Sequence, residues 1–392
     1  MKSIWHIVTC EYPPQIGGVS DHSFVVAAEL AAAGYDVHVW CPAIHGSPRQ
    51  TPGVTVHPVL GALSIPDLRD AGRLLNQYAG PRRILVQWVP HGYGYRSLNV
   101  PFSLWLAARA RQGDLIDLLV HEPYLALSAH PLRLAAGLIH RLMLVIAAAA
   151  AQRIWMSTPS WTPALRPYVG RRKAIGWLPV PASVLPAGNS SGAAVAPRRS
   201  ARQERPVVGH FSSYSPLITD LLQPAVLRLL RGSDAQVVLL GRGSEAFRSR
   251  ILAIAPELTN RVTATGALES AALSERIHAC NVMLQPYPDG VSARRTTVIS
   301  LLAHGRAIVT NAGRLTESMW RDTNAVALVD RPDADLLAAC TVGLLGDDIG
   351  RARLALAARE FHQRTFDVRH TIAALTGTDQ ILSSALPEVA VR

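Results

Sequence analysis

Residues 4–40 read IWHIVTCEYPPQIGGVSDHSFVVAAELAAAGYDVHVW, and this segment predicts the class of fold. Its first five residues are an apolar run suited to a buried parallel strand, and paired prolines and paired glycines follow as turn signals. From about Asp21 the apolar residues fall at helical spacing until Gly34, after which residues 37–40 form a second apolar run. Strand, turn, helix and strand in this order make a βαβ unit, which predicts a parallel sheet covered by helices.

The same alternation continues along the chain in two series. The first adds strand-like runs at 84–88, 115–120 and 154–156 with a helix over 132–151, and the second has runs at 207–209, 237–240, 262–264, 282–284 and 307–310. Between them, residues 181–206 lack periodicity and are rich in Pro, Ala, Ser and Gly, which is typical of a linker or mobile loop. We therefore expect two Rossmann-like domains, 1–180 and 207–350, whose parallel sheets face each other across a cleft, followed by terminal helices in 351–392.

Composition excludes several classes of protein. The chain has 392 residues, 49% hydrophobic and 17% charged, so wholesale disorder is excluded. The longest apolar run, 142–151, is far shorter than the roughly 20 residues of a bilayer span, and no signal peptide is evident. The four cysteines form no CxxC pair, which argues against a disulfide framework or a zinc site. A cytoplasmic location is expected.

Positive charge is concentrated in the first half of the chain. Residues 1–180 contain 16 basic and 9 acidic residues, whereas the whole chain has 39 and 28. This excess predicts an anionic partner for that half, either a phosphate-bearing acceptor or the inner face of a membrane, with the protein peripheral to it. Nucleic acid is not expected, because aromatic residues make up only 6% and no recognition motif is present.

Two segments of the first half combine turn residues with polar side chains at predicted strand ends. Gly17 and Gly18 precede a helix, where close backbone approach and free amides suit a phosphate, although a tight turn capped by Ser20 or Asp21 explains them equally. His121 and its neighbour Glu122 follow the strand at 115–120, and residues 87–95 mix aromatic and polar groups suited to a carbohydrate. A buried, satisfied histidine and simple loop packing are the alternatives.

The strongest candidate site is residues 285–297, QPYPDGVSARRTT, which lead into an apolar helix closed by Gly305. Arg294 and Arg295 in a helix start oppose the helix dipole, so a purely structural role explains them poorly. With the hydroxyls of Thr296 and Thr297 they can present fixed positive charge to a diphosphate. Gly241, Gly243 and Ser244 form a further glycine turn at a strand end, which serves either a nucleotide or the turn alone.

The order of these motifs resembles that of retaining GT-B glycosyltransferases, in particular family 4-like enzymes, over nearly the whole chain. The resemblance implies that the first loop, ending at His22, lies against the donor diphosphate and acceptor, and that His121 is close to the transferred sugar. It also implies that residues 241–245 and 266–268 lie near the nucleotide, and that the terminal helices in 351–392 cross back to the N-terminal domain. On this basis the predicted catalytic residues are His121, Arg294 and Arg295. The predicted donor-binding residues are Gly17, Gly18, Gly241, Gly243, Ser244, Asp289, Gly290, Ser292, Thr296 and Thr297, and the acceptor-side residues are His22, Gln87, His91, Tyr93 and Glu122.

The sequence departs from that family at two places. Ser292 and Ser300 stand where members commonly have two glutamates, and residues 209–220 lack the usual basic pair. Arg294 and Arg295 can replace the missing charge, and Asp289 or Glu317 a missing carboxylate. The resemblance implies metal-independent, cofactor-free transfer of a sugar from a nucleotide diphosphate sugar to a hydroxyl, with retention, in bacterial glycan, glycolipid or glycosylated-metabolite synthesis. An inactive sugar-binding or scaffolding protein and a nucleotide-sugar epimerase remain as alternatives.

Overall fold

The computed structural model describes residues 4–15, 17–44, 46–47, 49–94, 97–170, 173–186 and 205–377. The chain divides into two compact units. One comprises the residues up to Val180 together with the last described helix, and the other extends from Pro181 to Asp367. Most of the predicted linker, 187–204, lies outside the described residues, as does the chain after 377.

The first unit is a seven-stranded parallel sheet in the order β3-β2-β1-β4-β5-β6-β7. Its strands are β1 (Ile4–Val8), β2 (Asp36–Trp40), β3 (Val54–His57), β4 (Arg83–Trp88), β5 (Leu115–Val120), β6 (Arg153–Met156) and β7 (Ile175–Trp177). Its helices are α1 (Gly18–Ala32), α2 (Ile65–Leu75), α3 (Val100–Arg111), α4 (Pro131–Ala150), α5 (Thr162–Val169) and, from the end of the chain, α13 (Val368–Thr376). Apolar clusters cover both faces of the sheet, one containing Val8 and Trp88 and the other Trp5 and Ile7.

The second unit is a six-stranded parallel sheet in the order β10-β9-β8-β11-β12-β13. Its strands are β8 (Val207–Phe211), β9 (Gln236–Leu240), β10 (Val262–Ala264), β11 (Val282–Gln285), β12 (Ile308–Asn311) and β13 (Ala327–Val329). Its helices are α6 (Pro216–Arg231), α7 (Ser244–Ile254), α8 (Ser270–Ala279), α9 (Thr296–Ala303), α10 (Ser318–Arg321), α11 (Ala334–Leu345) and α12 (Asp348–Phe361). A π-helical turn, His362–Phe366, follows α12.

These two sheets confirm the predicted α/β class with two Rossmann-like sheets. In each, the strand order reverses at one point, between β1 and β4 or between β8 and β11, and ligands of such sheets bind beyond the carboxyl ends of the strands at that point. The predicted terminal segment 351–392 divides between the units, because α12 belongs to the second and α13 to the first. Within the first unit, Arg153 holds α13 by donating to the carbonyl of Leu375 at 2.7 Å.

Candidate functional site

The predicted donor-binding residues of the second unit all follow the carboxyl ends of its strands. Gly241, Gly243 and Ser244 follow β9, and the segment from Asp289 to Thr297 follows β11. Because the strands are parallel, these loops emerge at one edge of the sheet, and β11 flanks the point where the strand order reverses. The edge therefore has the topology of a ligand site.

Gly290 holds two of these loops together. Its φ is +86°, and a Cβ at this position would lie 2.2 Å from the backbone nitrogen of Gly313, in the loop after β12. Leu315 in that loop donates its amide to the carbonyl of Asp289 at 2.9 Å. The close approach that glycine permits at 290 therefore serves the contact between these two loops, while its contact with a donor stays a prediction.

Arg294 and Arg295 are half-buried in the turn before α9. The Arg294 guanidinium is 3.4 Å from a carboxylate oxygen of Asp289, and the Arg295 guanidinium lies 4.7 Å from the ring centre of Tyr287. Among the described residues, the buried Nε atoms of both arginines have no hydrogen-bond partner. Burial, and after it the neighbouring Arg294, lower the pKa of Arg295. An anion bound beside the pair would counteract both effects.

Helix α9 begins immediately after this pair, at Thr296. The Thr297 hydroxyl is 2.8 Å from the hydroxyl of Tyr287, which is buried, so Thr297 is already engaged. Thr296 is half-buried at the first helical position. Arg294, Arg295 and Thr296 therefore form the accessible part of the segment.

A carboxylate contacts this segment from the loop after β12. Glu317 accepts a hydrogen bond from the backbone amide of Ala293 at 3.2 Å and another from the indole nitrogen of Trp320 at 3.0 Å. Burial raises the pKa of Glu317 to about 7, although these hydrogen bonds and Arg294 oppose the rise. Near neutral pH this carboxyl can thus hold or release a proton beside the arginine pair.

The two serines that replace the expected glutamates differ in their surroundings. Ser292 is completely buried, and its hydroxyl has no hydrogen-bond partner among the described residues. Ser300 is also buried, but its hydroxyl donates to the carbonyl of Thr296 at 2.9 Å and accepts from the amide of Val184 at 3.2 Å. Ser300 therefore anchors the first residues of the predicted linker 181–206, and neither serine offers exposed surface to a ligand.

The glycine turn after β9 is shaped by the loop after β8. Gly241 has a φ of +107°, and a Cβ there would lie 2.4 Å from the carbonyl oxygen of Ser212. Ser244 is buried and its hydroxyl accepts from the amide of Gly266 at 2.9 Å. Ser244 therefore joins the two segments predicted to lie near the nucleotide, 241–245 and 266–268. Its side chain is used in this contact between loops.

In the first unit, three predicted residues from α1, β4 and the end of β5 meet. The rings of His22 and His121 lie 4.7 Å apart, edge to face, and His121 Nε2 is 2.7 Å from the side-chain oxygen of Gln87. That oxygen can only accept, so Nε2 carries the proton and Nδ1 of His121 is the acceptor nitrogen. Burial lowers the pKa of His22 to about 4 and that of His121 well below its usual value, so both rings are neutral at pH 7. We predicted His121 as a donor to a sugar hydroxyl or phosphate, but in this arrangement it is better suited to accept from a hydroxyl.

The remaining predicted acceptor-side residues separate into two kinds. His91 and Glu122 are exposed and lie 3.4 Å apart, His91 after β4 and Glu122 after β5. Tyr93 is fully buried, stacks on Phe102 at a ring distance of 4.3 Å and donates its hydroxyl to the carbonyl of Gln87. Tyr93 has no surface with which to contact an acceptor, so its role in the structure is core packing.

The start of α1 contains a residue that the sequence analysis missed. The helix begins at Gly18, earlier than predicted, because the carboxylate of Glu11 accepts from the amides of Val19 at 3.1 Å and Ser20 at 2.9 Å. A Cβ on Gly17 would lie 2.0 Å from the Glu11 carboxylate. The close approach predicted for Gly17 therefore occurs, but to this carboxylate. Neither Ser20 nor Asp21 caps the helix, since the Ser20 hydroxyl donates instead to the carbonyl of Gln15.

A second residue missed in the sequence is Arg314. Its guanidinium lies 2.9 Å from Asp289, on the opposite carboxylate oxygen from Arg294. The sequence does contain a pattern that could have indicated it, because Arg314 directly follows Gly313 in the loop after β12. Within the described part of the chain, no group of three or more His, Cys, Asp or Glu side chains is placed to hold a metal ion.

Comparison with known proteins identifies a family over part of the chain and a fold over nearly all of it. Residues 205–347, a little over a third of the chain, match the family model of glycosyl transferases group 1. Sucrose-phosphate synthase from Thermosynechococcus elongatus superimposes with a TM-score of 0.70 at 18% identity, covering 96% of this chain and 98% of its own. Anabaena HepE in complex with UDP superimposes with a TM-score of 0.63 at 17% identity, covering 97% of this chain and 100% of its own. WaaG, a glycosyltransferase involved in lipopolysaccharide biosynthesis, superimposes with a TM-score of 0.59 at 15% identity, covering 95% of this chain and 100% of its own.

At these identities the structural likenesses establish the fold, which is that of GT-B glycosyltransferases. No curated protein sequence matches the chain. The matched domain and the fold together support an enzyme of the nucleotide-sugar glycosyltransferase type.

Proposed function

We propose that this protein transfers a sugar from a nucleotide diphosphate sugar to an acceptor hydroxyl, with retention and without a metal, as a family 4-like enzyme of the cytoplasm. The observation that carries the proposal is the pair Arg294 and Arg295, half-buried at the strand-end edge of a matched glycosyl transferase domain with both Nε atoms unpartnered among the described residues. Adjacent guanidiniums at a helix start need an anion, and a diphosphate supplies two adjacent phosphates.

The proposed chemistry follows from that charge. The bond between the sugar's anomeric carbon and the diphosphate oxygen breaks, and a bond from the acceptor oxygen to the same face of that carbon forms. The acceptor proton passes to the departing diphosphate oxygen. Negative charge develops on the diphosphate as it leaves, and the two guanidiniums stabilise it most in the transition state. No protein nucleophile is needed in this route.

Glu317 is the carboxylate that we propose in place of the missing glutamates. It lies against the Ala293 amide, in the turn that ends in the arginine pair, whereas Ser292 and Ser300 are buried. A carboxylate can accept from two sugar hydroxyls, which a serine cannot. Asp289 is held between Arg294 and Arg314 and is less free for this role.

The first unit is proposed to receive the acceptor. The neutral His121 presents Nδ1 as a hydroxyl acceptor, and the exposed His91 and Glu122 lie on the loops after β4 and β5. The excess of basic residues in 1–180 favours an acceptor that carries phosphate, such as a lipid-linked glycan. HepE, which has this fold, was solved with UDP-glucose, and this supports a nucleotide sugar as donor.

The test is transfer and hydrolysis with a panel of nucleotide sugars, comparing the native protein with Arg294→Ala and Arg295→Ala. Each substitution should lower turnover by on the order of 10²-fold through lost stabilisation of the leaving group. The control is Arg331→Ala, an exposed arginine of the same unit paired with Asp333, which should leave turnover unchanged. Unchanged turnover in both arginine variants, with the fold retained, would remove the diphosphate assignment.

The same panel distinguishes the alternatives. The inactive alternative is favoured by one observation, the burial of both serines that replace the glutamates. Tight nucleotide-sugar binding without release of nucleotide from any donor would support that alternative. Conversion of the donor's sugar in the absence of any acceptor would identify an epimerase instead.

A further inference from the structure

A cluster of cationic side chains lies at the amino edge of the second unit's sheet, where the proposed reaction does not use it. Arg306 closely precedes β12, His278 lies in the last turn of α8 just before β11, and Arg359 comes from α12. The loops of the candidate donor site emerge at the opposite, carboxyl edge. Helix α9, which is about 12 Å long, lies between Arg295 and this edge, so the cluster is distinct from the donor site.

The two guanidiniums of the cluster meet at the turn that follows α9. A Cβ on Gly305 would lie 3.1 Å from both Nε and Nη2 of Arg359, so this guanidinium packs against the backbone next to Arg306. The Arg306 guanidinium in turn donates to the carbonyl of Cys280, at the end of α8. Three separate elements, α8, α12 and the turn after α9, therefore bring these groups together.

His278 is the third member of the cluster. Its ring lies 5.1 Å from the ring of His304, the residue before Gly305. Burial lowers the pKa of His278, and the positive charges of Arg306 and Arg359 lower it further. Both guanidiniums are thus near enough to the His278 ring to repel a proton from it.

The arginines of this cluster are incompletely paired. Arg359 is half-buried, and its guanidinium has neither a hydrogen bond nor an ion pair with any residue that the structure describes. The Nε atom of Arg306 is buried and has no partner in that part of the chain either. Burial lowers the pKa of Arg306; Cys280 opposes this effect, and Arg351 and Arg359 add to it. Arg351 itself is paired with Asp348, so it is not counted in the cluster.

A purely structural role accounts for only part of this arrangement. Cations near the C-terminal ends of helices complement the helix dipole, and α8 and α9 both end at this edge. The hydrogen bond from Arg306 to the Cys280 carbonyl serves that purpose. It leaves the guanidinium of Arg359 and the Nε of Arg306 without an acceptor, and a partly buried charge without a counter-charge is unfavourable. An oxyanion would supply both the acceptors and the negative charge.

We propose that Arg359, Arg306 and His278 bind the phosphate group of a small soluble molecule at the amino edge of the second unit's sheet. The planar fork of Arg359 can donate two parallel hydrogen bonds to phosphate oxygens, a contact that is stronger than one between neutral groups. His278 is half-buried and has no hydrogen bond with the described residues, so its ring N–H can donate a further one. The bound anion would offset the repulsion among the three groups. This site does not depend on the proposed sugar transfer.

The test is thermal unfolding of the full chain in millimolar inorganic phosphate, against chloride at the same pH and ionic strength. Phosphate should raise the unfolding midpoint of the native protein by about 2 °C or more and the rise should saturate, because a ligand of the folded state stabilises it. The candidate donor site also attracts phosphate, so the comparison is repeated with Arg294→Ala and Arg295→Ala combined. This double variant should keep the rise, since the cluster lies beyond the other end of α9.

Arg359→Gln should abolish the phosphate-dependent rise, whereas Arg359→Lys, which keeps the charge but not the fork, should retain part of it. The readout is the difference between phosphate and chloride within each variant, so a change in basal stability does not affect it. The matched control is Arg353→Gln, an exposed arginine of the same helix, which should respond as the native protein does. The proposal is overturned if phosphate stabilises the native protein no more than chloride, or if Arg359→Gln keeps the full rise. Loss of the rise in the donor-site double variant would also overturn it, because phosphate would then be acting at that site.

Discussion

Gly290 shows how a single residue in the candidate donor site is fixed by its backbone. Its φ of +86° and the 2.2 Å approach of the Gly313 nitrogen to a Cβ position leave no room for a side chain. Gly290→Ala should therefore destabilise the second unit by about 2 kcal/mol or more, through strain and displaced backbone. Urea unfolding measures this loss. Gly346→Ala is the control, because the nearest atom to a Cβ there is 3.7 Å away, and equal losses in the two variants would contradict the argument.

At this scale the sequence predicts the residue types of the site better than their partners. Arg294 and Arg295 were candidates because two cations at a helix start have a poor structural explanation, and their contact with a diphosphate stays a prediction. The burial of Ser300 against Val184 was not predictable, since the hydroxyl and the amide are 116 residues apart in sequence. Glu317 contacts Ala293 across 24 residues, and only the packing of two adjacent strand-end loops brings them together.

Among the elements, α1 depends on a cap that lies outside the helix. Glu11 accepts from the amides of Val19 and Ser20, and its negative charge also complements the positive end of the helix dipole. Glu11→Ala should cost the first unit about 1 to 2 kcal/mol of unfolding free energy. Glu11→Gln keeps an acceptor oxygen and should cost less, so urea unfolding of the two variants separates the lost hydrogen bonds from the lost charge. An alanine variant as stable as the native protein would contradict this account.

The predicted elements and the observed ones differ mainly at sheet edges. The runs at 84–88, 115–120, 237–240 and 282–284 were found because these inner strands are continuously apolar. The edge strand β10 was also found, from its run at 262–264. The strands β3, β7 and β13 were missed, since they are three or four residues long and lie at a sheet edge with partly exposed side chains. The start of α1 was predicted too late for a different reason, because its cap comes from a residue seven positions before the helix.

For the whole molecule, neutral buried histidines link stability to pH in both units. Burial lowers the pKa of His6 to about 3, and those of His22, His210 and His304 to about 4. The unfolded chain binds these protons near pH 6.5, whereas the folded chain does not until far lower pH. The contribution of these neutral histidines to the free energy of unfolding is therefore fully present above pH 6.5. It is lost as the pH decreases from 6.5 towards 4, by about 1.4 kcal/mol per pH unit for each such group.

Urea unfolding of the full chain at pH 7.5, 6.0 and 5.0, followed by tryptophan fluorescence, measures this loss in free energy. His6 accepts a hydrogen bond from the indole of Trp40 at 3.2 Å, and a glutamine oxygen can take its place without a titrating group. His6→Gln should therefore lessen the loss of stability between pH 6.0 and 5.0, whereas His130→Gln, at an exposed position, should leave it as in the native protein. Unfolding midpoints that stay constant from pH 7.5 to 5.0 would be incompatible with neutral histidines in the folded cores, since protonation on unfolding must favour the unfolded state.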